Sequence, residues 1–129
     1  MLYLLDTNIA IRMRDGDEET LTRVEVLEGD ACISVVTRIE LEGGIWRNPD
    51  DVVVVARQRL DVLFVTLRRV PFDEAAAAEY RGIIEAAGFS RPRILDRMIA
   101  SQALALDATL VTLNGKDFAD IPGLKLLAW

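Results

Sequence analysis

Histidine is absent from this 129-residue chain, and cysteine occurs once, as Cys32. A single cysteine excludes an intrachain disulfide, a zinc site built from clustered cysteines and C-x-x-C redox chemistry. The absence of histidine excludes Ser-His-Asp catalysis, histidine general bases and histidine-ligated metal sites. Any catalysis must therefore use carboxylates, hydroxyls, lysine or arginine side chains, backbone groups or a hard metal ion.

Long uncharged stretches are absent as well. The longest one, residues 98–106, has 9 residues, whereas a membrane-spanning helix needs about 20. The first residues form an apolar run without the basic segment of a secretory signal. Because a chain of this length, 51% apolar, can bury a core without disulfides, we expect a single cytoplasmic domain over residues 1–129.

Lysine is scarce among the charged residues. Only 2 of the 15 basic residues are lysines, and with 21 acidic residues the net charge is −6. This balance argues against a general electrostatic attraction to nucleic acids. The abundance of arginine reflects either a codon bias or contacts with RNA or an acidic partner, because guanidinium groups bind phosphates and carboxylates well.

Apolar, strand-like runs alternate along the chain with segments of helical periodicity. Such alternation predicts an α/β fold in three layers, with a central parallel sheet of about five strands and helices on both faces. In sheets of this kind, ligands bind beyond the carboxyl ends of the strands. The predicted strands are residues 2–5, 31–35, 70–72, 109–112 and 124–127. The predicted helices are a short one after Asp6 and residues 18–28, 37–46, 50–69, 74–87 and 95–106.

Several features of the predicted helices depend on particular residues. Asp6 and Thr37 are predicted N-caps, Gly29 is a predicted C-cap, and Asn48-Pro49 ends the third helix. The 50–69 helix is apolar over more than one stripe, which indicates burial on two sides and hence a second subunit related by two-fold symmetry. In the last helix, the side chains predicted to face the core are Leu95, Met98, Ile99, Ala103 and Leu106.

Acidic and amide side chains follow the predicted strands or lie in the helices beside them. They are Asp6, Glu40, Asp96, Asn114 and Asp117. Singly, each has an ordinary explanation as a helix cap, a solvated helix residue, an acid near a helix N-terminus or a turn residue. Together they direct several carboxylates to one sheet edge, where mutual repulsion raises their pKa values. A divalent cation such as Mg²⁺ relieves this repulsion because it prefers oxygen ligands, and it can activate a water and orient a phosphodiester.

Four segments of the chain resemble the PIN-domain ribonucleases, and most closely the VapC-type toxins of bacterial toxin–antitoxin pairs. They are LLDTN at 4–8, SVVTRIELEG at 34–43, LDRMIA at 95–100 and VTLNGKDF at 111–118, and they follow the family's order over nearly the whole chain. The resemblance implies a PIN-like fold and an Mg²⁺- or Mn²⁺-dependent endoribonuclease with Asp6, Glu40 and Asp96 as core acids and metal ligands. In the fourth position, either Asp117 supplies the acid or Asn114 has a positioning role.

The resemblance also implies partners for the chain. It predicts a homodimer and a cognate VapB-type antitoxin that blocks the site, with DNA contacted only through the antitoxin. The chain departs from many family members at residues 91–94, where RPRI replaces a Gly/Pro/Ile-type approach to Asp96. This departure leaves the path of that loop and the choice of RNA open. Arg91, Arg93 and Arg97 flank Asp96 and are candidate RNA contacts, with solvated surface residues as the alternative.

Two other classes of function are weighed against this one. In an Mg²⁺-dependent phosphatase or phosphoacceptor domain, Asp6 would be the nucleophile. Such a phosphatase requires an Asp-x-Asp motif, whereas this chain has Asn8 at the second position. A non-catalytic interaction module of the same fold is the other alternative, and the intact set of acids argues against it. Metal-dependent RNA cleavage that is lost on Asp6→Asn separates the three.

Overall fold

The computed structural model of the chain describes residues 1–47 and 50–129. Within these ranges, five strands and six α-helices are joined by loops and two short 3-10 turns. The strands are β1 (Leu2–Leu5), β2 (Asp30–Ser34), β3 (Arg68–Val70), β4 (Thr109–Thr112) and β5 (Lys125–Ala128). The helices are α1 (Thr7–Arg14), α2 (Glu18–Glu25), α3 (Val35–Ile45), α4 (Asp50–Thr66), α5 (Glu74–Ala87) and α6 (Ile94–Ala105). The 3-10 turns are Arg91–Arg93 and Gly115–Phe118.

All five strands are parallel and lie in the order β3-β2-β1-β4-β5. β1 is central, so that Leu4 pairs with Cys32 of β2 on one side and with Leu110 of β4 on the other. The chain extends outward from β1 to β3 and then crosses back to β4, which puts the switch point of the sheet between β1 and β4. The predicted α/β class with a five-stranded parallel sheet is confirmed. Ligands bind at such switch points, and Asp6 and Asn114 follow the two strands that flank it.

An apolar core covers each face of the sheet. Side chains alternate along β1, so the fully buried Leu4 and Leu5 enter opposite cores. One core packs the sheet against α5 and α6, for example through Ile99. The other packs it against α1, α3 and α4, for example through Leu60. The predicted three layers are therefore confirmed. Among the described residues, no helix is both long and apolar enough to span a membrane.

The second helix ends earlier than predicted. α2 stops at Glu25 and its C-terminal cap is Val26, so the prediction of Gly29 as the C-cap is wrong. Gly29 is required for a different reason, because a Cβ at this position would clash with the carbonyl oxygen of Met1. The same oxygen accepts a hydrogen bond from the backbone N–H of Asp30 at 3.0 Å. The close approach of the chain at the start of β2 therefore explains Gly29.

The third helix begins two residues before the predicted cap. Ser34 is its N-cap, because its Oγ accepts a hydrogen bond from the backbone N–H of Val36 at 2.8 Å. The prediction of Thr37 as the cap is therefore wrong, and Thr37 is a fully buried residue of the first turn. The predicted stop at Asn48-Pro49 lies outside the described residues.

Two further boundaries and one helix face differ from the prediction. α4 ends at Thr66, so the short strand β3 covers residues 68–70 and not 70–72. In α6, Ile99 and Ala103 are buried as predicted, but Leu95 and Leu106 are 44% and 42% exposed. These two leucines lie at the ends of the helix, whereas its middle turns pack on the sheet.

Candidate active site

A cavity of about 290 Å³ opens at the carboxyl edge of the sheet, beside the switch point. It is lined by Asp6, Thr7, Asn8, Ile11, Glu40, Asp96, Asn114 and Asp117. These residues come from four separate segments: the junction of β1 with α1, the middle of α3, the first turn of α6 and the turn after β4. The fold thus brings together every acidic and amide side chain that the sequence indicated.

Asp6 is the most deeply buried acid of the cavity, at 4% exposure. It is the N-cap of α1, as predicted, because its Oδ1 accepts a hydrogen bond from the backbone N–H of Thr7 at 2.8 Å. The hydroxyl of Thr112 donates to Oδ2, also at 2.8 Å. Burial raises the pKa of Asp6, these two hydrogen bonds oppose the rise, and the charge of Asp117 adds to it.

Glu40 lies in the middle of α3 and is held by a threonine from α1. The hydroxyl of Thr7 donates to Oε1 of Glu40 at 2.8 Å, and the hydroxyl oxygen of Thr37 lies 2.9 Å from that of Thr7. Burial raises the pKa of Glu40, the Thr7 hydrogen bond opposes the rise, and the charge of Asp6 adds to it. Thr7 therefore contacts two acids, Asp6 through its backbone and Glu40 through its side chain.

Asp96 lies in the first turn of α6, as predicted. Burial, followed by the negative charges of Asp6, Asp117 and Glu40, raises its pKa to about 6, while the guanidinium of Arg93 opposes the rise. Burial is the largest cause of this rise, and the charges of the other three acids add to it. The four acids therefore form one electrostatic unit.

The end of β4 supplies both candidates for the fourth position. The hydroxyl oxygen of Thr112 accepts the backbone N–H of Asn114 at 3.0 Å, and the Asn114 carbonyl accepts the backbone N–H of Asp117 at 3.1 Å. This turn presents both side chains to the cavity. Asn114 is exposed and Asp117 is partly buried, and the charge of Asp117 raises the pKa of both Asp6 and Asp96.

The donors of the cavity suit a hard divalent cation. Carboxylate oxygens from four segments and the amides of Asn8 and Asn114 line one cavity, and Mg²⁺ and Mn²⁺ prefer oxygen ligands. As the side chains stand, no three acidic residues of ranges 1–47 and 50–129 converge closely enough to enclose an ion. Carboxylates that repel one another stay apart, and the raised pKa values of Asp6, Glu40 and Asp96 include such repulsion. Asp6, Glu40 and Asp96 stay the predicted ligands of such an ion.

The arginines around Asp96 have different environments. The side chain of Arg97 is only 4% exposed; it donates to the carbonyl of Gly88 and, at 3.3 Å, to Oδ2 of Asp120. Neighbouring residues of a helix point in directions about 100° apart, and Arg97 points inward. Its burial corrects the prediction of an RNA contact. Arg91 is exposed and Arg93 is partly exposed, so these two remain candidates.

Hydroxyl groups are the part of the site that the sequence analysis missed. Thr112 and Thr37 were not singled out as site residues, and Thr7 appeared only within the LLDTN motif. Thr112 is the last residue of a strand that ends at the switch point, and Thr37 lies about one helical turn before Glu40. A threonine at the end of such a strand, or one helical turn before an acid, is therefore the sequence signal that indicates a hydrogen bond near the carboxylate.

A second cavity, of about 360 Å³, adjoins the acidic one and shares Ile11 and Glu40 with it. Its walls come from α1, α3 and α4 and combine apolar side chains such as Val55 with the basic Arg59. Arg14 and the acidic Asp15, which pair with each other, also line it. A partly apolar groove with charges of both signs therefore leads to Glu40.

This chain matches known proteins over nearly its whole length. The PIN domain family model matches residues 3–124. Ribonuclease VapC2 of Rickettsia felis is 30% identical, over 100% of this chain and 98% of that protein. The tRNA(fMet)-specific endonuclease VapC of Shigella flexneri is 32% identical, over 98% of this chain and 97% of that protein. The crystal structure of VapBC2 from Rickettsia felis, bound to a DNA fragment from their promoter, matches with a TM-score of 0.87 and 30% identity, over 100% of this chain and 99% of that one.

Proposed function

The chain belongs to the PIN domain family, and from this membership we propose that it is a divalent-metal-dependent endoribonuclease, the toxin of a type II toxin–antitoxin pair of the VapBC type. The observation that carries the proposal is that Asp6, Glu40, Asp96 and Asp117 line one cavity. Two relatives that match along their whole length are named as a ribonuclease and an endonuclease. The reaction is the hydrolysis of a phosphodiester in structured or single-stranded RNA.

We assign the metal-ligand role to Asp6, Glu40 and Asp96, with Mg²⁺ or Mn²⁺ as the ion. When bound, such an ion lowers the pKa of a coordinated water and orients a phosphodiester for in-line attack. The chain's own hydroxyls keep the carboxylates in place. Thr7 and Thr112 hold the two oxygens of Asp6, and Thr7 also holds Oε1 of Glu40.

We assign the fourth acidic position to Asp117. Its side chain is partly buried in the cavity, and its charge acts on Asp6 and Asp96. The exposed amide of Asn114 then has a positioning role toward the substrate at the mouth of the cavity.

We propose that RNA is recognised locally at the rim of the cavity. With a net charge of −6, the chain exerts little general attraction on a polyanion. Arg91 and Arg93, which lead into the helix of Asp96, are the candidate phosphate contacts, together with recognition of RNA shape. We expect the protein to act in the cytoplasm.

We propose a VapB-type antitoxin and a second copy of the chain as protein partners. The groove beside Glu40 combines apolar and charged side chains and adjoins the acidic cavity, so an antitoxin seated there would also close that cavity. DNA is contacted through the antitoxin, in keeping with the relative VapBC2, which is bound to promoter DNA. The exposed valines of α4 that lie outside this groove, Val54, Val62 and Val65, are the surface that we assign to the homodimer.

RNA cleavage by the purified protein tests the proposed function. The wild type is expected to cleave RNA with Mg²⁺ or Mn²⁺ but not with EDTA. Asp6→Asn is expected to lower the rate of RNA cleavage by more than about 100-fold. This loss exceeds the roughly 10–100-fold that is typical when a residue that only supports a metal ligand is changed. Asp107→Asn is the matched control, because Asp107 pairs with Lys125 at 2.7 Å in solvent and lies outside the cavity. Equal cleavage by wild type and Asp6→Asn would exclude the assigned site, and phosphorylation of Asp6 would favour a phosphoacceptor.

A further inference from the structure

Thr37 is fully buried in the first turn of α3 and does not line the acidic cavity, yet it is connected to it. Its hydroxyl oxygen lies 2.9 Å from that of Thr7, and Thr7 donates to Oε1 of Glu40 at 2.8 Å. We propose that Thr37 is a positioning residue of the active site, which acts through the hydroxyl of Thr7 to orient Glu40. The inference rests on the proposed function, because it concerns the alignment of an acid assigned to that site.

Proton counting gives the direction of this chain of hydrogen bonds. An ionised carboxylate can only accept, so the single hydroxyl proton of Thr7 is used in its bond to Glu40. The contact between the two threonines must therefore use the proton of Thr37. Donation to the Thr7 oxygen polarises that hydroxyl and strengthens the bond that it makes to Glu40. Thr37 therefore donates to Thr7, and Thr7 donates to Glu40.

The rotamer of the Thr7 side chain decides whether its hydroxyl reaches Glu40. Its backbone is fixed, because its N–H donates to Oδ1 of Asp6 at 2.8 Å. Its side chain still has several staggered rotamers, and a change of rotamer would move the hydroxyl away from Glu40. The bond from Thr37 favours the rotamer that points at Oε1 of Glu40. Because a carboxylate is planar, holding Oε1 also limits the directions open to the second oxygen.

The burial of Thr37 supports this role over simple packing. A fully buried hydroxyl needs a hydrogen-bond partner, and the contact found for Thr37 is made to a residue of the active cavity. Valine has the same shape without the hydroxyl, and serine keeps the hydroxyl without the methyl group. The two substitutions therefore separate the hydrogen bond from the packing.

The test compares Thr37→Val with Thr37→Ser by Mn²⁺ calorimetry, RNA cleavage kinetics and urea unfolding. Thr37→Val is expected to weaken Mn²⁺ binding and to lower kcat by about three- to tenfold, which is less than the 10–100-fold loss typical of residues in direct contact with a metal ligand, because Thr37 acts through Thr7. The KM for RNA is expected to stay unchanged, because Thr37 does not reach the cavity. Thr37→Ser is expected to stay within about twofold of the wild type for both properties.

Thr20→Val is the matched control. Thr20 is also a buried threonine, but its hydroxyl donates to Oδ2 of Asp17 at 2.5 Å, at the start of α2 and outside the cavity. This variant is expected to lose stability without any change in Mn²⁺ affinity or kcat. A purely structural role for Thr37 would give the same pattern for Thr37→Val.

A double-mutant cycle keeps the inference testable if Thr37→Val folds poorly. Thr7→Val removes the donor to Glu40 directly and is expected to lower kcat more than Thr37→Val does. Thr37→Ala also removes the hydroxyl, and if Thr37 acts only through Thr7, it lowers kcat in the wild-type background but changes kcat by less than about twofold in the Thr7→Val background.

Wild-type Mn²⁺ affinity and kcat in Thr37→Val would overturn the inference, as would equal losses in Thr37→Ser and Thr37→Val. A wild-type protein that neither binds Mn²⁺ nor cleaves RNA would overturn the proposed function itself, and the inference with it. The two failures are therefore distinguishable.

Discussion

Nη2 of Arg97 lies 3.3 Å from Oδ2 of Asp120, and this part-buried contact joins two segments that carry acids of the candidate site. Arg97 belongs to α6, which also carries Asp96, and Asp120 follows the 3-10 turn that carries Asp117. Arg97 also donates to the carbonyl of Gly88 at the end of α5. Its Nε has no hydrogen-bond partner among the described residues. One guanidinium thus ties together three segments around the acids.

We predict that Asp120→Asn destabilises the fold by about 1–2 kcal/mol, because it leaves a buried guanidinium without its counter-ion. The expected loss is smaller than for a fully buried pair because the Asp120 side chain is 43% exposed. Arg97→Met is expected to cost less, since it removes the buried charge and keeps most of the volume. Urea unfolding at pH 7 measures both.

Asp107→Asn is the control for this comparison, because Asp107 also pairs with a cation but is 86% exposed. Its effect is expected to stay within about 0.5 kcal/mol. A larger loss for Arg97→Met than for Asp120→Asn would show that the bond to Gly88, and not the ion pair, stabilises this region.

The acids of the site could be predicted from sequence because they depend on strong local signals. Short apolar runs give the strands, and in a parallel sheet the residues after the strands meet at one edge. Asp6 and Asp117 follow from this rule alone. Asp96 and Glu40 required the helices beside the strands to be recognised as well, and the family motifs supplied the same residues.

The supporting contacts could not be predicted in the same way, because they depend on side-chain direction and on pairs far apart in sequence. Ser34 and Thr37 are both suitable caps by residue type, and only the backbone at the end of β2 decides between them. The bond between Thr7 and Thr37 joins residues 30 positions apart. The sequence predicts Arg97 as an RNA contact or a solvated surface residue. Its burial could not be predicted because a charged side chain is rarely buried without a partner, and the partner Asp120 lies 23 positions away.

We predict that the metal-free protein loses stability as the pH rises from about 4 to 6. The pKa of Asp96 is raised in the folded state from its ordinary value of 3.8 to about 6. Between these values the folded state holds more protons than the unfolded state, so the free energy of unfolding falls with rising pH. A shift of this size corresponds to about 3 kcal/mol, and solvent screening of a partly exposed group reduces the expected loss to about 1 kcal/mol.

Asp96→Asn tests this dependence on pH, because the amide resembles the protonated acid. In EDTA at pH 7.5 the variant is expected to be more stable than the wild type, and at pH 4 the two are expected to converge. Glu85→Gln alters an exposed pair with Arg81 and is expected to follow the wild-type curve. A wild-type stability that is flat between pH 4 and 7, or that rises, would contradict the raised pKa of Asp96.

We predict that Mn²⁺ stabilises the wild type by mass action, by about 2.7 kcal/mol at a hundredfold excess over its Kd. Asp96→Ala is expected to abolish this stabilisation and the metal-dependent cleavage while the metal-free fold is retained, because it removes a repelling charge together with a ligand. Calorimetry and thermal unfolding with and without Mn²⁺ measure the effect. Equal Mn²⁺ affinities in the variant and the wild type would rule out Asp96 as a ligand.

We predict a homodimer that uses α4. Both sides of this helix are apolar, as the sequence indicated: Val53, Leu60 and Leu63 face the core, whereas Val62 and Val65 are 66% and 90% exposed. Light scattering at micromolar concentration is expected to give twice the chain mass of 14.4 kDa.

Val65→Asp is expected to shift the dimer toward the monomer without unfolding it. Val26→Asp, at another site that is 70% exposed, is expected to leave the dimer intact. A wild-type mass near 14.4 kDa would reject the dimer. A dimeric Val65→Asp protein would show that α4 is not part of the contact.

We predict that the antitoxin inhibits the enzyme with a basic side chain inserted among Asp6, Glu40 and Asp96. Each of these carboxyls has a raised pKa from burial and from the charges of its neighbours. A guanidinium or ammonium group offsets that repulsion with charge-assisted hydrogen bonds. The groove that leads to Glu40 gives such a side chain a route into the cavity. One inserted cation would therefore switch off cleavage without a change of fold.

The crystal structure of the inhibited complex is expected to show an antitoxin Arg or Lys within hydrogen-bond distance of at least one of the three acids. Mn²⁺ is expected to stabilise the free toxin but not the complex, because both cations need the same carboxylates. The matching antitoxin variant, with that residue changed to Gln, is expected to bind more weakly and to restore Mn²⁺ binding. A complex that binds Mn²⁺ as well as the free toxin does, with the cavity open to solvent, would refute this mode of inhibition.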